Sequence, residues 1–425
     1  MAGEKKGHIL SVNSGSSSLK ISLYRLSQQS NGEPIELLIT SSISNISSPP
    51  AKFTFEPVSG KSQEGEVDSI KDHTSAFAHF LDSLKNEASS NRDDIAHVCH
   101  RVVHGGDYAG PVIISDDSFR HIEELTDLAP LHNGAALSVI KACIEALPKS
   151  NSIAYFDSAF HRSIPRHIST YAIDYKVAEQ KGLKKYGFHD AFILRSVAAY
   201  LQKPSDSLNL ILCHLGSGAS VCAIKNGKSL DTSMGLTPLN GLPGATRSGV
   251  VDPSLIFHFT NTAGKISHDP EKAKDLHAED ILNTQSGWKS LTGTTDFGEI
   301  TSKAELGSAP SDDNRYRLAF DLFTDRILNY IGSYHLKLGG QVDALVFAGG
   351  IGERGSELRE RIGKAVECLG FPEIDRDKNQ SQKVKEGGVV VGIDNAESGK
   401  RVLVCKTDEQ LEMARQCALE KKFWD

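Results

Sequence analysis

A chain of 425 residues exceeds what one hydrophobic core ordinarily organises, so two domains are expected. With 39% hydrophobic and 24% charged residues it has the makeup of a globular protein, and a formal charge of −7 gives no general attraction to nucleic acid or to an anionic membrane. The polar start is unlike a secretory signal and no run approaches a membrane span, so the cytoplasm is the expected setting.

In chain order, residues 8–12 form an apolar strand, Asn13-Ser-Gly-Ser-Ser-Ser18 a polar turn, and residues 19–26 an alternating return strand. A Ser/Pro-rich stretch follows over residues 28–71. Helical spacing appears near 73–86, a strand over 96–103, and a helix around 133–147. The opening pattern then returns: a buried strand over 208–213, the small-residue turn His214-Leu-Gly-Ser-Gly-Ala-Ser220, a return strand over 221–224, and the hairpin dipeptide Asn226-Gly227. Two such units suggest an internal duplication, each half opening on a hairpin whose tip could face a phosphate; two unrelated hairpins are the alternative. A third glycine turn, Ala348-Gly-Gly-Ile-Gly-Glu353, leaves an apolar strand over 342–347, and residues 407–422 read as one amphipathic helix. Alternating strands and helices make the fold class α/β.

Glycine and serine let several backbone N–H groups approach phosphate oxygens, so three small-residue turns at strand ends suit a polyphosphate ligand. No G-x-x-x-x-G-K-[ST] is present, which disfavours a P-loop NTPase. The absence of a G-x-G-x-x-G after the first strand disfavours a dinucleotide-binding dehydrogenase. The seven scattered cysteines never form C-x-x-C, and no histidine spacing supports zinc.

Cationic and hydrogen-bonding residues recur among small ones: Arg101 and His104 in Arg-Val-Val-His-Gly-Gly106, His132, His161 in Asp157-Ser-Ala-Phe-His161, His189, His214 and Arg247. Arginine is the natural clamp for phosphoryl oxygens. His161, beside an aromatic residue, reads instead as a core hydrogen bond.

Asp231-Thr-Ser-Met-Gly-Leu-Thr-Pro-Leu-Asn-Gly241, followed by Thr246-Arg-Ser-Gly249 and Asp252-Pro253, closely resembles the long signature of acetate kinases. So do the Asn13–Lys20, Arg101–Gly106, Phe156–His161, Tyr186–His189, His214–Ser220 and Gly349–Glu353 segments, in order from residue 9 to about 413. The resemblance implies a two-domain, duplicated ribonuclease-H-like (actin-like ATPase) fold with an interdomain active-site cleft. The expected domains are 1–157 plus 409–425, and 158–408, in a homodimer that binds no nucleic acid and no membrane. It implies reversible phosphoryl transfer, ATP + acetate = ADP + acetyl phosphate, with Mg2+ or alternatively Mn2+ held by Asn13 and Glu409.

By the same resemblance, Asp157, His189, Arg247 and Arg101 carry catalysis. Arg101, His132, Val103, Leu131, Phe188 and Pro238 take the carboxylate and its methyl group. The nucleotide falls to Lys20, to His214, Leu215, Gly216, Ser217 and Gly218, to Asp296, Phe297 and Gly298, and to Gly349, Gly350, Ile351, Gly352 and Glu353. Three departures stand out. The loop after His189 reads Asp190-Ala-Phe192 in place of Gly-Thr-Ser-His, His132-Asn133-Gly134 replaces His-Asn-Pro, and Gly298 replaces an arginine near adenosine. The lost arginine leaves pyrophosphate as an alternative donor, and propionate or butyrate remain alternative acceptors.

Two readings of other classes compete: a nucleotide-switch protein on the same fold, which needs no carboxylate pocket, and a serine acyl-enzyme suggested by Ser17-Ser-Leu-Lys20, which lacks S-D-N and K-T-G partners.

Overall fold

The computed structural model describes residues 7–15, 17–27, 33–46, 48–86, 91–128, 130–188, 191–259, 278–309, 313–381, 388–396 and 399–424. The chain divides into two compact units, Met1–Ala159 with Asp408–Asp425, and Phe160–Thr407.

The first unit is built on eight strands: β1 (His8–Ser14), β2 (Ser18–Leu26), β3 (Ile35–Ser44), β4 (Ala51–Pro57), β5 (Gln63–Val67), β6 (Ile95–Val102), β7 (Val112–Ile113) and β8 (Asn151–Phe156), ordered β5-β4-β3-β2-β1-β6-β8-β7. The second has six: β9 (Leu210–Leu215), β10 (Ala219–Lys225), β11 (Lys228–Thr232), β12 (Ala344–Ala348), β13 (Val390–Gly392) and β14 (Arg401–Cys405), ordered β11-β10-β9-β12-β14-β13.

The two orders contain the same six-strand plan. An antiparallel trio (β3-β2-β1 or β11-β10-β9) continues into two parallel strands (β6-β8 or β12-β14), with an antiparallel strand at the far edge. The repeated hairpins are therefore a duplicated ribonuclease-H-like topology, as the resemblance implied. The tip of the Asn226-Gly227 hairpin has φ of 48° and 70°, the positive pair that a two-residue turn requires.

Strands buried on both faces explain the near-continuous apolar runs of β1 and β9. In the first unit, Leu10 and Val12 face Phe77, Phe80 and Val139 on one side, whereas Ile9, Cys99 and Ile153 face Met413, Ala414 and Cys417 of the C-terminal helix Glu409–Leu419 on the other. In the second, Ile211, Leu345 and Phe347 pack with Phe320, Phe323 and Ile327 of the helix Arg315–Lys337.

Two features differ from the sequence expectation. The Ser/Pro-rich stretch carries β3, β4 and β5: serines interrupt the apolar pattern of β3 around Ile39 and Ile43, β4 is short, and β5, Gln63-Glu-Gly-Glu-Val67, is exposed and has no apolar alternation. The C-terminal helix begins at Glu409 because Asp408 caps it, accepting from Leu411 N at 2.8 Å, and a short 3-10 turn, Lys421–Phe423, follows it. No helix among the described residues is long and apolar enough to cross a membrane.

Two buried histidines make the first unit sensitive to acid. Burial pushes His97, edge-on to Trp424 with ring centroids 4.3 Å apart, down to about 4, and His100, whose Nε2 meets Ser152 Oγ at 3.2 Å, down to about 3. Depressed folded values mean that the unfolded chain binds more protons below its own value of 6.5. Stability is then full above pH 6.5 and lost as pH falls toward 4. Thermal unfolding is expected to show a midpoint that drops between pH 7 and pH 5, with the drop reduced in His97→Gln.

Candidate functional site

Adjacent parallel strands deliver polar residues to one edge of each sheet, the edge at which ligands of open α/β sheets ordinarily bind. In the first unit β1, β6 and β8 lie side by side. Their C-terminal ends carry Asn13, Arg101 and, one position past β8, Asp157. Glu409, the first residue of the C-terminal helix, joins them.

The geometry centres on Arg101. Its Nε donates to both oxygens of Asp157, at 3.0 and 3.1 Å, and Nη2 donates to Oδ2 at 2.6 Å. Nη1 donates to Asn13 Oδ1 at 3.2 Å. Asn13 Nδ2 donates to Glu409 Oε2 at 2.7 Å, and that oxygen lies 3.4 Å from Arg101 Nε. Burial alone would pull the guanidinium down, but Asp157 and Glu409 overcome it and hold Arg101 above its ordinary value. It is a permanent cation. The Glu409 side chain is 31% exposed against 11% for Asp157, so Glu409 is the carboxylate better placed to meet a hydrated ligand.

The loop after Arg101 is braced from beneath. Buried Asn133 accepts from His104 N at 3.1 Å and donates to His104 O at 3.0 Å, and Ser158 Oγ accepts from Gly105 N at 3.0 Å. Asn133 and Ser158 were not among the residues expected to matter. Each directly follows one that was, and lies in a segment quoted for the resemblance, Ser158 in Phe156–His161 and Asn133 in His132-Asn133-Gly134; that is the sequence signal for them.

In the second unit, β9 and β12 pair in parallel with Ala348 beside His214, so the segments that follow them, a turn after β9 and the short helix Gly349–Arg354 after β12, are neighbours. Gly349, at φ 74°, sits where a Cβ would come within 2.8 Å of His214 Cδ2 and of Leu215 O, and only glycine lets the two segments approach this closely. The half-buried Arg247 reaches the first of these segments: a Cβ on Gly218 would lie 3.1 Å from its Nη1. Its own turn is fixed by backbone bonds, Gly244 N to Arg247 O at 2.9 Å and Ser248 N to Leu282 O at 2.9 Å. Leu215, Gly216 and Ser217 complete the first turn, but the expected third glycine turn is helical: Gly349–Arg354 forms one short α-helix directly after β12, entered through the positive φ of Gly349.

Other expected site residues are more dispersed. Lys20 is exposed and opposite Asn13 across the β1–β2 pair. Val103 is buried in the first unit, and Phe188 and Pro238 in the second. Asp296 caps the helix Phe297–Lys303, accepting from Gly298 N at 2.8 Å, while the Phe297 ring packs among Trp288, Phe320 and Phe323. His161 is a buried core residue whose Nδ1 meets Ser229 Oγ at 2.8 Å, as its aromatic neighbour suggested. Leu131 and His132 lie in the helix Pro130–Ala146 with side chains outside the described residues, and His189 falls outside them altogether.

Oxygen donors of this kind suit a small hard cation. Mg2+ typically takes one or two carboxylates and completes its shell with water and substrate phosphates. Asn13 Oδ1 and the Glu409 carboxylate fit that requirement.

A model described as the acetokinase family matches residues 8–415. A protein of Emericella nidulans described as a probable acetate kinase is 50% identical over 422 residues, covering 96% of this chain and 97% of its own. Among solved structures, a propionate kinase from Francisella tularensis aligns with TM-score 0.80 and 32% identity over 96% of this chain and 98% of that one. The acetate kinase of Porphyromonas gingivalis aligns with TM-score 0.78 and 31% identity over 97% and 100%.

Proposed function

The chain belongs to the acetokinase family, and on that premise we propose that it moves the γ-phosphoryl group of ATP onto the carboxylate of acetate, reversibly and with Mg2+, giving ADP and acetyl phosphate. The observation that carries this reading is the cluster at the sheet edge of the first unit. A partly buried guanidinium is held in place by Asp157 and flanked by Asn13 and Glu409, a charge-compensated seat for an anionic substrate beside donors for a divalent cation.

The physical problem is repulsion. Acetate is ionised at neutral pH, so its attacking oxygen needs no deprotonation and a general base would contribute little. The barrier lies in bringing an anionic carboxylate in line with a polyphosphate. Arg101 would orient the carboxylate or the phosphoryl group, Arg247 and His189 would stabilise the charge on the equatorial oxygens, and Val103, Leu131, Phe188 and Pro238 would enclose the methyl group. Mg2+, held by Asn13 and Glu409, would neutralise phosphate charge. The turn after β9 and the short helix after β12, together with Lys20 and Asp296, would line the nucleotide.

Both Asp157 oxygens are engaged by Arg101, which supports a positioning role for the carboxylate rather than proton exchange. Asp157→Asn is expected to lower kcat by roughly 10²-fold without altering the pH dependence of kcat/KM; near-normal turnover with unchanged magnesium affinity would contradict that role.

A hydroxylamine trap tests the function itself. Acyl hydroxamate should accumulate only when acetate, ATP and Mg2+ are all present. Parallel reactions with propionate, butyrate and pyrophosphate report acceptor length and donor. Nucleotide turnover indifferent to any carboxylate would defeat the proposal in favour of a nucleotide-switch protein.

A further inference from the structure

Behind the short glycine-rich helix of the second unit lies a cation that the reaction chemistry above does not use. Arg359, in the helix Ser356–Val366, is 1% exposed and is the bulkiest fully buried side chain among the described residues. Its Nη1 donates to Gly352 O at 2.7 Å and to Glu353 O at 2.9 Å. Nε donates to Asn379 Oδ1 at 2.7 Å and Nη2 to Asn379 O at 2.8 Å. Asn379, 2% exposed, turns its own amide to Ser356 O at 2.9 Å.

Every one of these acceptors is neutral. Among the described residues no carboxylate ion-pairs with Arg359, whereas the buried Asp231 and Asp394 and the partly buried Arg101 all have oppositely charged partners. Burial pulls the Arg359 guanidinium down to about 10, with Glu357 opposing, so it stays protonated at neutral pH. Enclosing a full charge among neutral dipoles is costly, and truncating such a group to satisfy two carbonyls would be cheaper with an amide or a water. The placement gives the charge a use, because the carbonyls it holds lie in the last turn of the short helix Gly349–Arg354, the glycine-rich segment read as facing the nucleotide.

We propose that Arg359 is a positioning residue for the nucleotide: it clamps the Gly352 and Glu353 carbonyls so that the short glycine-rich helix keeps its place, and its charge, without a counter-ion among the described residues, is compensated by the phosphates of bound ATP or ADP. This rests on the reading that this helix lines the nucleotide. A purely structural plug would fix the helix equally for every ligand. A charge awaiting its counter-ion discriminates ligands by the number of phosphates they carry.

The test measures binding of AMP, ADP and ATP, with Mg2+, to the full chain and to Arg359→Met and Arg359→Lys, together with the KM for acetate. Arg359→Met should weaken ATP by roughly tenfold or more, about the scale of one partly screened charge pair, ADP by less and AMP least. The KM for acetate should hold, and Arg359→Lys should recover much of the loss. Arg359→Gln, which keeps a donor for the carbonyls but no charge, should reproduce the methionine pattern, and it serves if the methionine variant fails to fold. An equal penalty for all three nucleotides, or a lysine variant no better than the uncharged ones, would overturn the proposal. Gly350→Val separates this from the underlying reading. Unchanged ATP affinity there removes the nucleotide from this helix, and the role of Arg359 with it. Weakened ATP binding there, beside an unaffected Arg359→Met, removes Arg359 alone.

Discussion

Replacing Arg101 with alanine is expected to reduce kcat on the order of 10³-fold, the usual consequence of deleting one preorganised cation aimed at transferring phosphoryl oxygens. The expectation rests on how completely this side chain is preorganised. Its fork is docked bidentate on Asp157, its remaining terminal nitrogen is tied to Asn13, and Glu409 lies 3.4 Å from Nε, so few rotamers remain to be frozen when substrate arrives. Alanine also leaves two carboxylates without the charge between them, so some loss of stability is expected alongside the loss of rate. Arg101→Lys separates the two effects. It retains the charge and much of the stability but not the planar fork, and it should remain well below wild-type turnover. Steady-state kinetics with thermal unfolding of the same preparations checks both; a kcat within a few-fold of wild type in the alanine variant would remove Arg101 from the mechanism.

Arg247→Ala should cost a comparable factor in kcat with a different signature. The Arg247 turn is held by backbone bonds from Gly244, Ser248 and Ser286, and by Thr246 Oγ1 donating to Asn283 O at 2.8 Å. Truncating the arginine side chain leaves that scaffold in place, so the thermal midpoint should stay close to wild type. Gly218→Ala is the milder version. A methyl group 3.1 Å from Arg247 Nη1 forces the guanidinium aside by a few tenths of an ångström, and a flexible side chain can give that much. Its turnover should fall between those of wild type and Arg247→Ala. A destabilised Arg247→Ala with normal kcat would make the residue structural.

Local pattern carried much of this in the sequence. The hairpin tips, the first two small-residue turns and the α/β alternation are short-range signals, and the duplicated strand order followed from them once pairing was known; the third glycine segment, read as a turn, is instead a short helix. Arg101 and Arg247 were visible as charges among glycines. The partnership of Asn13 with Glu409 was not, because 396 residues separate them and nothing local marks the pairing; only the family resemblance suggested it. Strand β3 was hidden by its serines, and β5, Gln63-Glu-Gly-Glu-Val67, by being exposed and lacking any apolar alternation. The burial of Arg359 and Asn133 was invisible for a third reason. An arginine in an amphipathic helix and an asparagine near a helix start look like solvent-facing residues until tertiary packing encloses them.

The central claim is that guanidinium charge neutralises two mutually repelling anions as phosphoryl transfer begins. Aluminium fluoride, which with MgADP and acetate mimics the transferring phosphoryl group, reports this most directly through tight binding of the three-component complex. The wild-type chain should form it, while Arg101→Ala and Arg247→Ala should each bind MgADP nearly normally yet lose the added affinity that aluminium fluoride and acetate confer. Formation of that complex at undiminished affinity in both variants would contradict the account.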